Sequence, residues 1–218
     1  MEAVLEFFRS LYNPDKLINL IQSGGYVVLA GIVFAETGLF LGFFLPGDSL
    51  LFLAGLLAAQ EFFDVGYLIL LLSVMAILGD ALGYGIGKRA GNTLYKREDN
   101  FWFRKKHLSY AREFYVRHGG KAIVFARFVP FARTFAPVVA GIAEMSYRRF
   151  AAYNIMGGIF WVVSMVLTGY YLGQVLWVRQ NLEKAVVLVI FLSVTPIFYE
   201  AVRNWFRKRR KAFRSSSP

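Results

Sequence analysis

The chain has 218 residues, of which 57% are hydrophobic and only 18% charged, and its mean hydropathy is +0.48. A soluble domain usually carries about 25% charged residues, so the composition excludes an ordinary soluble fold and is far too apolar for disorder. Yet Lys and Arg number 25 against 14 Asp and Glu, a formal net charge of +11, and such an oily chain leaves too little polar surface to grip nucleic acid, which points to a membrane protein with its charge gathered in loops.

In residues 1–25, Val4, Leu5, Phe8, Leu11 and Tyr12 recur at helical spacing, with Glu2, Glu6 and Arg9 between them. This reads as an amphipathic segment, either lying in the membrane interface or packing on the rest of the chain. The acidic start lacks a basic n-region, so no cleavable signal peptide is expected. Asn13-Pro14 reads as a cap followed by a first-turn proline. From Leu17 to Gln60 the only charges are Glu36 and Asp48, and the oily run is broken at Pro46-Gly47. Two full spans or one re-entrant hairpin over 26–58 would fit that break.

Residues 65–87 form a clean span with one charge, Asp80, and with Gly79, Gly83 and Gly87 spaced for close helix packing. A polar loop, 88–121, holds ten basic and three acidic residues. Residues 122–145 are oily again, are broken by Pro130 and Pro137, and carry Arg127 and Arg133. Uncharged residues 151–178 and apolar residues 185–202 read as two further spans, and the tail 203–218 has seven basic residues and no acid.

Charge selects among the topologies. The segments 88–121, 144–149 and 203–218 together hold 19 Lys and Arg against four acids, whereas 1–25, 59–64 and 177–184 hold four against six. The positive-inside rule puts the first set in the cytoplasm. That partition requires 26–58 and 122–145 each to return to the side it came from. The expected fold is therefore an all-α polytopic membrane protein with a single transmembrane domain over 26–202. It has three full transmembrane helices and two opposed re-entrant hairpins, with the N-terminus outside and the C-terminus inside. The basic loop and tail would rest on anionic headgroups.

The two broken segments are also the candidate site. A charge at mid-membrane costs at least ~2.5–3.5 kcal/mol, so Glu36, Asp48, Arg127 and Arg133 must pair, face water or bind a charged ligand. Arginine suits a planar, bidentate partner such as phosphate, so Arg127 and Arg133 are the candidate phosphate-binding pair. Glu36 and Asp48 are the candidate ion-pairing or proton-coupling acids. Asp80, Pro46, Pro130 and Pro137 would support them. The alternative is that the acid–arginine pairs are purely structural clamps. Tyr153, Tyr170, Tyr171, Trp161 and Trp177 read mostly as interfacial or packing aromatics.

An enzyme is disfavoured. The sequence contains no cysteine, and both histidines, His107 and His118, fall in the basic loop. A phosphatase would need a histidine or a cluster of metal-binding carboxylates, so neither metal nor cofactor is expected. A small-cation or drug antiporter built on the same acids is a further class.

Three stretches resemble signatures of a known family. Glu36-Thr-Gly-Leu-Phe-Leu-Gly-Phe-Phe-Leu-Pro46-Gly-Asp48-Ser is similar to the first motif of the DedA membrane proteins, which share a domain with the eukaryotic VTT (SNARE-associated) scramblases. Gly79-Asp80-Ala-Leu-Gly-Tyr-Gly-Ile-Gly87 resembles the second. Phe125-Ala-Arg127-Phe-Val-Pro130-Phe-Ala-Arg133-Thr-Phe-Ala-Pro137 resembles the third, the most specific. The resemblance implies opposed re-entrant hairpins in a bacterial cytoplasmic membrane. It also implies movement of a lipid phosphate, with undecaprenyl phosphate or phosphatidylethanolamine as substrate, and a link to the proton-motive force. Functional weight would then fall on Glu36, Asp48, Arg127 and Arg133. Homo-oligomer formation through the glycine faces is left open.

Overall fold

In the computed structural model, residues 14–39, 47–95, 120–181 and 184 are described. Among them the chain is all helical, with seven helices: α1 (Pro14–Gly38), α2 (Gly47–Ala58), α3 (Val65–Tyr95), α4 (Lys121–Ala126), α5 (Pro130–Ile142), α6 (Tyr147–Gly173) and α7 (Leu176–Gln180). The amphipathic stretch before Pro14, most of the basic loop, the third expected span at 185–202 and the basic tail lie outside the described residues.

Local chemistry sets the boundaries. Pro14 opens α1, where its missing N–H costs nothing. Gly25 interrupts that helix at φ 53°, a left-handed conformation that glycine adopts without penalty. The kink falls where the sequence divides the amphipathic segment from the first oily one. Asp64 caps α3 by accepting the Tyr67 N–H at 2.7 Å, and its own N–H is held by the Tyr26 hydroxyl at 2.9 Å.

Among the described residues, two helices are long and apolar enough to cross a membrane, over Val65–Gly91 and Tyr147–Gly173. Along α3, Tyr67, Leu70, Val74, Leu78, Leu82 and Ile86 form an exposed row at three- and four-residue spacing, while Leu68, Leu72, Ala76, Asp80 and Tyr84 are buried on the other side. A water-soluble protein would cover such an apolar row, and lipid solvates it directly. The helix runs past the expected end at residue 87, because Lys88-Arg89-Ala90 contains no breaker. The second span begins at Tyr147 and ends at Gly173, about one turn earlier at each end than the 151–178 read from charge, and the short α7 follows.

The two broken segments are helix–break–helix units. In the first, the arm of α1 after Gly25 is followed by α2, which has 12 residues. In the second, α4 gives way at Arg127 and α5 starts afresh at Pro130 after an extended Val129 (φ −114°, ψ 114°). A 12-residue helix spans about 18 Å at ~1.5 Å per residue, well short of a hydrocarbon core of roughly 30 Å. Pro137, expected to break the segment, instead lies inside α5 and removes the N–H that would reach the Arg133 carbonyl.

Glycines let these pieces close on one another. An added Cβ at Gly169 of α6 would meet the Phe52 carbonyl of α2, one at Gly87 of α3 would meet the Val138 backbone of α5, and Gly38 lies against Gly79. The glycine faces at 38, 79, 83, 87, 169 and 173 thus pack within the chain. The main core gathers Leu29 and Val33 of α1, Leu50, Leu51, Leu53 and Leu57 of α2, Leu68 and Leu72 of α3, and Trp161, Val162 and Val166 of α6. The site sits at one edge of this core.

Candidate functional site

Five charged side chains from the oily segments converge where α1, α2, α3, the α4–α5 break and α6 meet. They form two groups. Arg133, on the first turns of α5, extends its guanidinium fork across the first unit: Nη2 donates to Glu36 Oε1 and Nη1 to Asp48 Oδ1, both at 2.5 Å. The expected pairing of the acidic unit with the basic one is therefore made by a single arginine. Glu36 is 1% exposed, against 33% for the Asp48 side chain. The Glu36 carboxylate lies so close to Gly47 that any side chain there would collide with it. It faces the N-terminus of α2, where helix dipoles favour an anion. Its Oε2 is buried without a hydrogen-bond partner.

Arg127 belongs to a second group. Its Nη2 donates to Asp80 Oδ2 of α3 and, at 2.5 Å, to Asn154 Oδ1 of α6. Asn154 in turn donates to the Ile77 carbonyl at 3.1 Å, pinning α6 to the middle of α3. Arg127 and Asp80 are both 4% exposed. Asp80 is thus the direct counter-ion of Arg127, not merely a supporting group behind Glu36 and Asp48.

Trp161 links the groups. Its ring centre lies 5.3 Å from the Arg133 guanidinium carbon and 5.9 Å from that of Arg127, within cation–π range. Its indole N–H donates to Asp48 Oδ1 at 2.9 Å. A small cavity lined by Glu36, Thr37, Asp80, Arg127, Arg133, Thr134 and Trp161 lies between the groups, with room for about one water molecule. The Nε atoms of both arginines are buried without partners.

Of the supporting prolines, Pro130 fixes the start of α5 three residues before Arg133, Pro137 lies one turn after it, and Pro46 falls outside the described residues. Sequence reading missed Asn154 and the role of Trp161. Both lie in a span taken as uniformly apolar. The available signal was Asn154, Gly157, Gly158 and Trp161 at i, i+3, i+4, i+7 spacing, one polar or small face on an uncharged helix. Among the described residues, no three His, Cys, Asp or Glu side chains converge as metal ligands.

Residues 45–171 match the VTT domain family. The chain belongs to this family, the DedA membrane proteins. It is 45% identical over 181 residues to Protein DedA of Escherichia coli (strain K12), covering 82% of this chain and 83% of that one. It is 42% identical over 181 residues to a membrane protein of Mycobacterium leprae (strain TN), covering 83% and 81%. It is 38% identical over 170 residues to the inner membrane protein YqjA of Escherichia coli (strain K12), covering 77% and 74%. No solved structure matches the chain. The VTT match spans Asp48, Asp80, Arg127, Arg133, Asn154 and Trp161, and Glu36 lies nine residues before it.

Proposed function

We propose that this DedA-family protein translocates an anionic lipid phosphate, with undecaprenyl phosphate as first candidate, across the bacterial cytoplasmic membrane. The observation that carries the reading is the Arg133 fork. An arginine seated between two carboxylates in an oily setting is a phosphate receptor with its ligand position filled by the protein's own acids.

In this scheme the two helix–break–helix units are opposed re-entrant hairpins, and their short arms favour that topology. With the third span at 185–202, the N-terminus lies outside and the basic segments lie in the cytoplasm. The lipid tail stays in the bilayer while the headgroup enters between the hairpins. The cavity is too small for a phosphate while Arg133 holds both acids, so entry requires that arginine to turn from Asp48 and Glu36 to the ligand.

Charge balance links this exchange to protons. Three carboxylates, Glu36, Asp48 and Asp80, face two guanidinium groups. A phosphate adds further negative charge in a setting where unbalanced charge is expensive. A proton on Glu36, whose Oε2 has no other partner, offsets it. The protein then acts as a carrier and not an enzyme, driven by the proton-motive force.

The test is flipping in proteoliposomes across undecaprenyl phosphate, its diphosphate and phosphatidylethanolamine, with and without a pH gradient. The expected result is movement of undecaprenyl phosphate, faster with an inward proton gradient. Equal rates with and without the gradient would remove proton coupling. Movement of phosphatidylethanolamine alone would favour the phospholipid alternative, and proton-driven cation flux without lipid movement would favour an antiporter.

A further inference from the structure

The α6 span carries no charge beyond its first turn, yet its inward face is specialised. Gly157 and Gly158 lie flat against Arg127: a Cβ added at either would come within 3.3 Å of that side chain. Asn154 holds the same arginine from one turn before, and Trp161 ends the row.

Trp161 is 1% exposed and packed into the main core. Its indole N–H reaches Asp48 Oδ1 at 2.9 Å, the same oxygen that Arg133 reaches at 2.5 Å. One carboxylate oxygen therefore has two donors of different kinds. One is a cation on a long side chain, able to leave. The other is a neutral donor on a rigid ring that can neither titrate nor accept a hydrogen bond.

Resting on the lipid-phosphate reading, we infer that Trp161 is a positioning residue that holds the Asp48 carboxylate in place while Arg133 moves between Asp48 and the lipid phosphate. When Arg133 turns to the ligand, the indole N–H stays on Oδ1. Asp48 keeps a donor and remains aimed at the place to which Arg133 returns. Loss of the N–H then weakens the ligand-bound state more than the resting one, because the resting carboxylate still has Arg133.

The test is binding of farnesyl phosphate, a short polyprenyl phosphate, to the purified full-length chain in detergent, with farnesol as control. It uses the wild type, Trp161→Phe, Asp48→Asn and the double variant, with thermal melting of each ligand-free protein. Trp161→Phe keeps the ring and is expected to weaken farnesyl phosphate binding roughly tenfold, the scale of one hydrogen bond to a charged group. Its melting temperature is expected to stay within a few degrees of wild type. Asp48→Asn is expected to bind more tightly than wild type, because the acid competing for Arg133 is gone. Adding Trp161→Phe to it then changes affinity by less than about twofold, the mark of two residues acting through one interaction.

Wild-type affinity in Trp161→Phe would overturn the assignment. So would a full tenfold loss in the Asp48→Asn background, a collapse of the Trp161→Phe melting temperature, or absent binding by Asp48→Asn. A wild-type protein that binds farnesyl phosphate no better than farnesol would instead bring down the lipid-phosphate reading itself.

Discussion

Arg127 and Arg133 lie six residues apart in one broken segment, yet they are held in different ways. Arg127 is enclosed by Asp80, Asn154 and the glycine floor of α6, with every partner buried. Arg133 bridges two acids, one of which, Asp48, is a third exposed. The backbone explains the split. Arg127 ends α4 and is trapped between α3 and α6, whereas Arg133 stands one turn into α5 and reaches across to α1 and α2. A buried ion pair contributes little net stability over an apolar substitute, but stranding one of its members is costly. Under the proposed function, Arg127 and Asp80 lock the fold, and Arg133 with Glu36 and Asp48 is the part that exchanges.

That contrast fails first if the lock can be removed without harm. Asp80→Ala leaves Arg127 as a buried cation without its counter-ion and is expected to cost about 3–5 kcal/mol. The readout is loss of the monodisperse peak in size-exclusion chromatography and a large drop in melting temperature in detergent. Next in size is a packing change. Gly169→Val would drive a side chain into the α2 backbone at Phe52 and is expected to cost ~1–3 kcal/mol or more in the same melting assay. Asn154→Ala removes one acceptor from Arg127 and frees the Ile77 carbonyl, with an expected cost of about 1–3 kcal/mol. Asp48→Ala should be milder for the fold than Asp80→Ala, about 1–3 kcal/mol, because Arg133 keeps Glu36 and the remaining cost is the buried Trp161 N–H left without its acceptor. It should nevertheless stop transport in the proteoliposome assay. Equal destabilisation by Asp80→Ala and Asp48→Ala would erase the distinction between lock and exchange.

Much of this was legible in the sequence, for identifiable reasons. Charges stand out in an apolar chain, so Glu36, Asp48, Arg127 and Arg133 could be found by scanning, and Gly47 and Pro130 marked where α2 and α5 begin. The span at 65–87 was visible because length and hydropathy suffice for a lipid-facing helix. Partner choice was not legible. Nothing in the spacing says that one arginine takes both Glu36 and Asp48 while the other turns to Asp80, because that depends on how the helices cross. Trp161 was hidden for a related reason: an aromatic in an oily span looks like packing until its N–H is seen on Asp48. Pro137 misled because proline signals a break, whereas here α5 continues through it.

In the proposed function, everything turns on Arg133 as the exchangeable cation that receives the lipid phosphate. The most direct measurement is undecaprenyl phosphate flipping by Arg133→Ala in proteoliposomes, on protein first shown by size-exclusion chromatography to be folded. The expected result is a well-folded protein whose flipping falls to the level of empty liposomes. Flipping at the wild-type rate by folded Arg133→Ala would contradict it.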